Sequence, residues 1–314
     1  MRLLRHRHWQ VSVWHLDMNG ILVVNKPRGM TSHDVVGRVR RIAMQKRVGH
    51  AGTLDPMATG VLLICLGRAT RVAEYLSGSD KTYRAVIRLG EETDTYDAEG
   101  QVTATRPVNV SEAELRDVLI RFAGEIDQVP PMYSALKRNG QPLYKLARKG
   151  IEVERSARRV TVYENALREW QSPDVTIDVR CSAGTYIRSL AHDMGKMLGC
   201  GAHLTALTRS ASGSFAIDEA VKLQDLEGRP DLEGLLRPLD AALQNLPALT
   251  LDAEQSRCVT LGQAIPFDGT SGSSDLFRVY NSGGALLAIM TYDSAVRLLR
   301  PRKVLADESI TKSS

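Results

Sequence analysis

Gly49-His-Ala-Gly-Thr-Leu-Asp-Pro-Met-Ala-Thr-Gly60 contains one carboxylate, Asp55, between glycines and next to a proline. Glycine allows backbone angles that are closed to other residues, and Pro56 keeps Asp55 out of the helical region. The segment is therefore a poor helix and a poor strand, and we expect a stiff loop directly before an apolar strand at residues 61–66. Loops on rigid elements are where catalytic groups tend to lie, although Leu-Asp-Pro on its own favours an ordinary turn.

Composition limits the possible classes of protein. The chain has 314 residues, of which 43% are hydrophobic, so it can hold one large and one small domain, or two of medium size. The net charge of +5 is mildly in favour of a polyanionic partner. The four cysteines are scattered without a Cys-x-x-Cys pair, which argues against a disulfide framework or a zinc ribbon and fits a reducing cytoplasm. No apolar run approaches the roughly 20 residues of a membrane helix.

Local patterns predict an α+β fold. Thr31-x-x-Asp34 and Ser111-x-x-Glu114 are helix-capping signals, each followed by apolar residues at helical spacing. Residues 81–89 alternate cleanly and predict a strand with Tyr83 on its apolar face. A third helix is expected after the Gly184-Thr-Tyr-Ile-Arg188 turn, with inward positions at Ile187, Leu190, Met194 and Met197/Leu198.

Two regions differ from this core. Residues 129–158 combine prolines with many lysines and arginines, which is typical of an insertion that folds over a ligand or, alternatively, of an ordinary basic surface excursion. After Pro247, short strands at 276–280, 285–292 and 296–299, with a turn at residues 281–284, predict a small β-barrel. No Rossmann or P-loop glycine pattern and no metal-ligand spacing is present in the sequence.

Several segments together resemble, in order along the chain, the motifs of the TruB family, the bacterial tRNA pseudouridine-55 synthases. The similarity runs from about Asn19 to Ala211 and more weakly to about Leu305. The segments that carry it are residues 19–32, 49–60, 80–84, 94–100, 129–137, 181–188 and 207–209.

The resemblance implies a domain organisation. Residues 1–17 would be a basic N-terminal extension, disordered, with Met18 as the natural start. Residues 18–247 would form the catalytic domain, a mixed and mostly antiparallel sheet of the pseudouridine synthase type, in which 129–158 is an inserted RNA-clamping lobe. Residues 248–310 would form a small PUA-like RNA-binding β-barrel, joined as a separate module near Pro247.

The resemblance also assigns roles to residues. Asp55 would be the catalytic nucleophile or electrostatic partner of the ribose C1′, and Arg188 beside it would favour its charged form. Tyr83 would stack on the extruded base, Tyr186 would pack under it, and Leu207 would supply apolar or backbone contact. His50 would fill the space that the base leaves. The expected contacts with the RNA backbone are Lys145, Arg148, Lys149 and Arg209.

Alternatives remain open for some of these residues. Tyr83 on an apolar strand face is by itself ordinary core, His50 can serve a turn through a hydrogen bond, and Arg188 can be a surface arginine. The atom that Asp55 attacks is not specified by the sequence.

Function has alternatives as well. The expected function is isomerisation of uridine 55 in the T-loop of tRNA, by a cytoplasmic monomer that needs no cofactor, metal or protein partner. The alternatives are a guide-dependent pseudouridine synthase, a tRNA-folding chaperone and a nucleoside-binding module without catalysis.

Overall fold

The computed structural model describes residues 18–134, 136–138, 140–147, 149–229, 231–269 and 274–306. The α-helices are α1 (Ser32–Ile42), α2 (Ala73–Ser77), α3 (Glu112–Arg121), α4 (Leu143–Ala147), α5 (Ile187–Met197) and α6 (Ala253–Thr260). The strands are β1 (Gly20–Lys26), β2 (Val48–Ala51), β3 (Thr59–Leu66), β4 (Lys81–Leu89), β5 (Glu91–Thr93), β6 (Val102–Thr105), β7 (Gly124–Gln128), β8 (Lys137–Arg138), β9 (Gln141–Pro142), β10 (Arg158–Gln171), β11 (Asp174–Cys181), β12 (Ala202–Ser212), β13 (Phe215–Ala216), β14 (Val221–Lys222), β15 (Ala248–Thr250), β16 (Ile265–Pro266), β17 (Leu276–Tyr280), β18 (Leu286–Asp293) and β19 (Leu298–Val304). Short 3₁₀ helices span Gly67–Arg71, Ile217–Glu219, Leu223–Leu226, Glu233–Leu235 and Leu239–Leu243.

A ten-stranded sheet organises the larger part of the chain. Its order is β14-β1-β3-β12-β4-β11-β10-β7, with β2 beside β3 and β13 beside β12. The pairings of β1 with β14 and of β3 with β12 are parallel, and the other pairings between described residues of this sheet are antiparallel. The predicted mixed, mostly antiparallel sheet is therefore confirmed.

The capped helices form as their sequences predict and cover one face of this sheet. Capping boxes start α1 at Thr31 and α3 at Ser111. Apolar side chains of α1, α3 and α5 pack with those of the sheet in one buried cluster. Met197, which was expected to point inward, is 49% exposed. Met197 is the last residue of α5. With about 100° of rotation per residue, its side chain points about 90° away from the centre of the buried face and so reaches solvent.

The segment around Asp55 is half strand and half loop. Residues 48–51 form β2 and pair with residues 63–66 of β3, although the local sequence predicts a poor strand. Pairing with a central strand overrides weak strand propensity. Gly52 (φ 77°) and Gly60 (φ 98°) do use the left-handed region, as expected of glycine. Residues 52–58, the aspartate loop, connect these two strands.

The second sheet has the order β15-β17-β18-β19-β16. The predicted turn at residues 281–284 joins β17 to β18, while β19 begins at Leu298, two residues after the predicted start. Within the described ranges, no pairing between β15 and β16 closes this sheet, so the barrel stays a prediction.

The two sheets are in direct contact. Ile21, Val61 and Leu63 of the large sheet share a buried apolar cluster with Ile289 and Leu305. Polar contacts reinforce it: Arg68 Nη1 donates to the Leu305 carbonyl at 3.0 Å, and Lys303 Nζ lies 3.0 Å from Glu74 Oε1. The second sheet therefore packs directly against the large sheet, because apolar residues on both sides of Pro247 share one buried cluster.

Removing residues 248–314 should therefore destabilise the remaining chain. The deletion returns apolar side chains of the large sheet to water, and each such side chain is worth about 1.5–3 kcal/mol when fully buried. We expect the melting temperature to fall by more than about 5 °C. A chain shortened only to residue 306 is the control, and equal melting temperatures would show that the sheets fold independently.

None of the helices in the described part of the chain is both long and apolar enough to cross a membrane.

Candidate active site

The aspartate loop is held by the connection between β1 and α1. Ser32 Oγ donates to the Leu54 carbonyl at 3.1 Å and accepts from the Leu54 N–H at 2.9 Å. The Gly29 N–H donates to the Pro56 carbonyl at 2.8 Å. Lys26 Nζ reaches the same carbonyl at 3.3 Å and that of Met30 at 2.6 Å. The motif at residues 19–32 thus holds Asp55 in place, a role that sequence reasoning did not assign to it.

Replacing Ser32 by alanine should test this support. Ser32 is 1% exposed, and its hydroxyl serves both backbone groups of Leu54. Leaving buried backbone groups unsatisfied costs about 1–3 kcal/mol each. We expect the free energy of unfolding, measured by urea titration, to fall by about 2 kcal/mol. Ser77→Ala is the matched control, because Ser77 Oγ also bonds a carbonyl, that of Ala73, but at an exposed position. Equal losses in the two variants would contradict this role.

Arg188 lies at the centre of the site. Its Nε is 2.9 Å from Asp55 Oδ2, and its Nη1 is 3.4 Å from Asp97 Oδ2. Nη1 also donates to the Thr95 carbonyl at 3.2 Å, and Nη2 donates to the Tyr133 carbonyl at 2.8 Å. The Arg188 side chain is 5% exposed, which excludes the alternative of a surface arginine. Four motif segments, around residues 55, 95, 133 and 188, therefore meet at one guanidinium.

Asp97 was missed by sequence reasoning. Its side chain is 5% exposed, and its second oxygen, Oδ1, accepts from Thr95 Oγ1 at 2.6 Å and from the Glu99 N–H at 3.1 Å. Asp97 lies in the 94–100 motif, so the available signal was an aspartate inside a matched segment to which no role was given. Asp97 and Asp55 together give the buried guanidinium two carboxylate partners.

The charge state of Asp55 reflects opposing effects. Burial raises the pKa of Asp55 above its usual value, Arg188 opposes this, and Asp97 adds to the increase. Even so, 37% of the Asp55 side chain remains exposed. The carboxylate is therefore poorly solvated, ion-paired through one oxygen and still accessible, as a nucleophile or an electrostatic partner must be.

Lys26 is a second cation that sequence reasoning missed. The residue is fully buried. Burial lowers the pKa of Lys26 to about 8, against the opposing effect of Asp55 and Glu99. Its signal in the sequence was the Asn-Lys-Pro of the opening motif. Lys26 therefore contributes positive charge near Asp55 while its ammonium group binds loop carbonyls.

Arg209 was predicted to contact the RNA backbone, and the structure contradicts this prediction. It is 1% exposed. Its Nε donates to the Val61 carbonyl at 2.6 Å and its Nη2 donates to the Gly52 carbonyl at 2.8 Å. Strand β3 pairs with β12 at Gly60 and with β2 from Leu63, so the guanidinium fills the gap where the partner changes. Two of its nitrogens therefore donate to backbone carbonyls, and the buried side chain is not available to an RNA phosphate.

The predicted base-contacting residues lie on neighbouring elements. Leu207 pairs with Ala85 in β4, two residues after Tyr83, and both Leu207 and Tyr83 are 8% exposed. Burial raises the pKa of Tyr83, with Arg209 opposing it and the negative charge of Asp55 among the smaller causes that raise it. Tyr186 precedes α5, and its backbone exchanges two hydrogen bonds with the Gln128 side chain, at 2.8 and 3.0 Å. Burial raises the pKa of Tyr186 as well.

His50 lies in β2 and points its ring at His33, with the ring centroids 5.1 Å apart and the planes at 82°. Its Nδ1 is buried without a hydrogen-bond partner in the part of the chain that the structure describes. Burial lowers the pKa of His50, and His33 and Arg209 act in the same direction. His50 lies in a strand and its Nδ1 makes no hydrogen bond to the described residues, so this atom does not stabilise a turn there.

Two family models match the chain over adjacent ranges. The one described as TruB family pseudouridylate synthase (N terminal domain) matches residues 40–187, and the tRNA pseudouridylate synthase B C-terminal domain matches residues 188–244. The chain belongs to the TruB family of pseudouridylate synthases. The two ranges meet at Arg188, at the start of α5, and both contribute strands to the ten-stranded sheet.

Curated relatives agree with this assignment over most of their length. A tRNA pseudouridine synthase B of Actinobacillus pleuropneumoniae serotype 5b (strain L20) is 45% identical over 289 residues, 90% of this chain and 95% of that protein. The tRNA pseudouridine synthase B of Ralstonia nicotianae (strain ATCC BAA-1114 / GMI1000) is 46% identical over 299 residues, 92% of this chain and 95% of that protein. This TruB-family member is thus a tRNA pseudouridine synthase, an RNA-binding isomerase.

Solved structures show the same fold. A chain in the crystal structure of a Cbf5-Nop10-Gar1 complex superposes with a TM-score of 0.73 and 28% identity, covering 93% of this chain and 86% of that one. A chain in the structure of an H/ACA RNP bound to a substrate RNA containing 2'-deoxyuridine gives a TM-score of 0.71 and 26% identity, over 92% and 85% of the two chains. The TruB-family chain therefore has the pseudouridine synthase fold, as the resemblance implied.

Residues 129–157 of this TruB-family enzyme run between β7 and β10, which are antiparallel neighbours. A short turn would suffice to join them, so the segment is an excursion from the sheet. Lys145, in α4, and Lys149 are both exposed, as phosphate contacts must be. Arg148, like the N-terminal extension at residues 1–17, lies outside the described residues.

Among the described residues, no group of three or more histidine, cysteine, aspartate or glutamate side chains is placed to hold a metal ion.

Proposed function

We propose that this TruB-family enzyme isomerises uridine 55 in the T-loop of tRNA, acting as a monomer without guide RNA, cofactor or protein partner. The observation that carries the proposal is the Asp55 carboxylate, paired with Arg188 Nε at 2.9 Å yet 37% exposed. Burial raises the pKa of Tyr83 and of the half-buried Tyr186, and the charge of Asp55 is among the smaller causes that raise both, which supports the proposal further.

The chemistry needs only groups of this kind. The bond from uracil N1 to C1′ breaks, the base turns, and a bond from C5 to C1′ forms. The C5 proton is lost and N1 gains one, so atoms and electrons balance without a redox partner. Asp55 acts on the ribose while Arg188 and Lys26 keep it ionised. Tyr83 stacks on the base and assists the proton transfer at C5, while Tyr186 and Leu207 complete the pocket.

Access to the base requires that it leave its stack, which costs a few kcal/mol. We expect His50 to fill the space left behind, since burial lowers the pKa of its ring and its Nδ1 has no hydrogen-bond partner among the described residues. Residues 129–158 clamp the T-arm, and the five-stranded sheet at 248–304 adds contacts as a PUA-like module.

The proposal is tested with a transcribed T stem-loop and purified protein alone. We expect one pseudouridine, at the position of uridine 55, and none when that uridine is replaced by cytidine. Modification that appears only after a guide RNA is added would overturn the stand-alone mode. Pseudouridine at another position would overturn the assigned target.

Charge reversal of Lys145 and Lys149 should flatten the salt dependence of binding. Each phosphate contact releases counterions, so log affinity falls linearly with log salt, with a slope of about 0.7–0.9 per contact. We expect Lys145→Glu with Lys149→Glu to reduce the slope by about 1.5, measured by titrating stem-loop binding against salt. Arg116→Glu with Arg121→Glu in α3 makes the same change in net charge and is the control. An unchanged slope in the first variant would favour an ordinary basic surface excursion.

A further inference from the structure

We propose that Tyr96 and His192, stacked on each other, are positioning residues that hold Asp97 and the Thr95 carbonyl on Arg188. Their ring centroids are 3.9 Å apart and the ring planes are 10° from parallel. The inference rests on the proposed function, because its main readout is the rate of isomerisation.

Tyr96 is the link between two contacts to one nitrogen. The Thr95 carbonyl accepts from Arg188 Nη1 at 3.2 Å, and Asp97 Oδ2 is 3.4 Å from the same atom. Both can face that nitrogen because Tyr96 has a φ of 64°, which turns the chain between them. In an extended chain the Thr95 carbonyl would lie in the plane of the backbone hydrogen bonds and the Asp97 side chain would point out of that plane, so the two would not converge on one nitrogen.

The backbone conformation is not one that tyrosine prefers. The left-handed region is uncommon for side chains with a Cβ and is the usual place for glycine. A strained residue persists when its surroundings hold it. The Leu204 N–H donates to the Tyr96 carbonyl at 3.0 Å, which ties the loop to β12. The ring stack adds the contact that a glycine at position 96 would lack.

The stack connects the loop to the helix that carries Arg188. His192 follows Arg188 by four residues in α5, so the two side chains lie on the same side of the helix. Arg188 and His192 therefore attach the turn at residues 95–97 to α5 at two successive points. His192 Nδ1 is buried without a hydrogen-bond partner in the described ranges, so this atom takes no part in holding the ring, and the observed contact is the ring face.

Four variants distinguish the effect of the ring contact from the effect of the backbone conformation at position 96. Tyr96→Gly keeps the left-handed angle but removes the ring, while Tyr96→Phe keeps the ring. On α5, His192→Ala removes the ring and His192→Phe keeps an aromatic ring. We expect the single-turnover rate on the T stem-loop to fall about tenfold in Tyr96→Gly and in His192→Ala, because small displacements of catalytic groups are costly. The Kd should stay within about twofold, and both phenylalanine variants should restore most of the rate.

The double variant Tyr96→Gly with His192→Ala should be no slower than either single variant, since one stack is lost in all three. Met44→Gly is the matched control: Met44 has a φ of 49° and is 66% exposed at the end of α1, so it tests the same backbone relief away from the site. Amide exchange at residues 95–98, which needs no RNA, should be faster in Tyr96→Gly and His192→Ala than in the wild type.

The outcomes separate the two proposals. If the wild type is active and both Tyr96→Gly and His192→Ala isomerise at the wild-type rate, the positioning role is overturned and the proposed function stands. Losses that phenylalanine does not restore would overturn it as well. A wild-type protein that forms no pseudouridine in the stem-loop would overturn the proposed target, while the exchange rates would still report on the stack. If Tyr96→Gly fails to fold, His192→Ala decides.

Discussion

Asp55→Asn should abolish pseudouridine formation while the affinity for the T stem-loop stays within about tenfold, or about 1.4 kcal/mol. The substitution removes the charge and the nucleophilic oxygen but hardly changes the size of the side chain. Mapping of pseudouridine after long incubation is the measurement. Product from this variant would refute the assignment of Asp55.

Asp174→Asn is a closely matched control. Asp174 pairs with Arg88 at 2.9 Å and has a side chain that is 37% exposed, the same values as for Asp55 with Arg188. It lies on β11 and pairs outside the site. We expect Asp174→Asn to retain activity within about twofold, because exposed ion pairs contribute about 0–1 kcal/mol. A large loss in this control would mean that any broken ion pair impairs the enzyme.

Asp55→Asn also gives a prediction about the stability of the protein. Burial raises the pKa of Asp55 in the folded state above its unfolded value, so the folded state favours the protonated carboxyl. This contribution to stability is fully present below the unfolded pKa of an aspartate, and it is lost as the pH rises through the folded pKa. At pH 7 the charged form therefore adds no stability that asparagine would remove. We expect the melting temperature of Asp55→Asn at pH 7 to equal or exceed that of the wild type. The acidic limb of wild-type activity should likewise lie above the usual aspartate pKa.

Arg188→Lys should lower the single-turnover rate by about 100-fold or more, equivalent to about 2.7 kcal/mol. The guanidinium contacts Asp55, Asp97 and the carbonyls of Thr95 and Tyr133 from three nitrogens. A lysine ammonium is a single point charge on a flexible stem and cannot span these partners. Rapid-quench measurements on the T stem-loop give the rate, and a loss of less than threefold would show that charge alone suffices.

Arg188→Met should be more severe, because it removes the cation that the Asp55 and Asp97 carboxylates both contact. Breaking a buried ion pair in this way costs about 3–5 kcal/mol. The pKa of Asp55 should rise further, so any residual activity should have its acidic limb at higher pH than the wild type. Arg88→Lys is the control for both substitutions, since Arg88 forms a bidentate ion pair with Asp174 outside the site and its side chain is 42% exposed.

Local features of the fold could be predicted from sequence because they depend on near neighbours. Thr31 and Ser111 start helices through capping boxes that span four residues. The alternation in residues 81–89 places Tyr83 on the buried face, and it is 8% exposed there. Pro56 acts on Asp55 directly. The resemblance to the family added the partnership of Asp55 with Arg188, which no local rule supplies.

Tertiary structure determined which polar groups are buried and what they contact. Asp97, Lys26 and Ser32 serve the site through partners far along the chain or through carbonyls whose positions depend on the fold. Arg209 has the chemistry of a phosphate contact, but it is buried because β3 changes its neighbour from β12 to β2 at that point. Sequence alone specifies the donors that a side chain carries. Long-range strand pairing decides whether those donors meet backbone oxygens or solvent, since unpaired carbonyls in a sheet must be satisfied by whichever donor lies within reach.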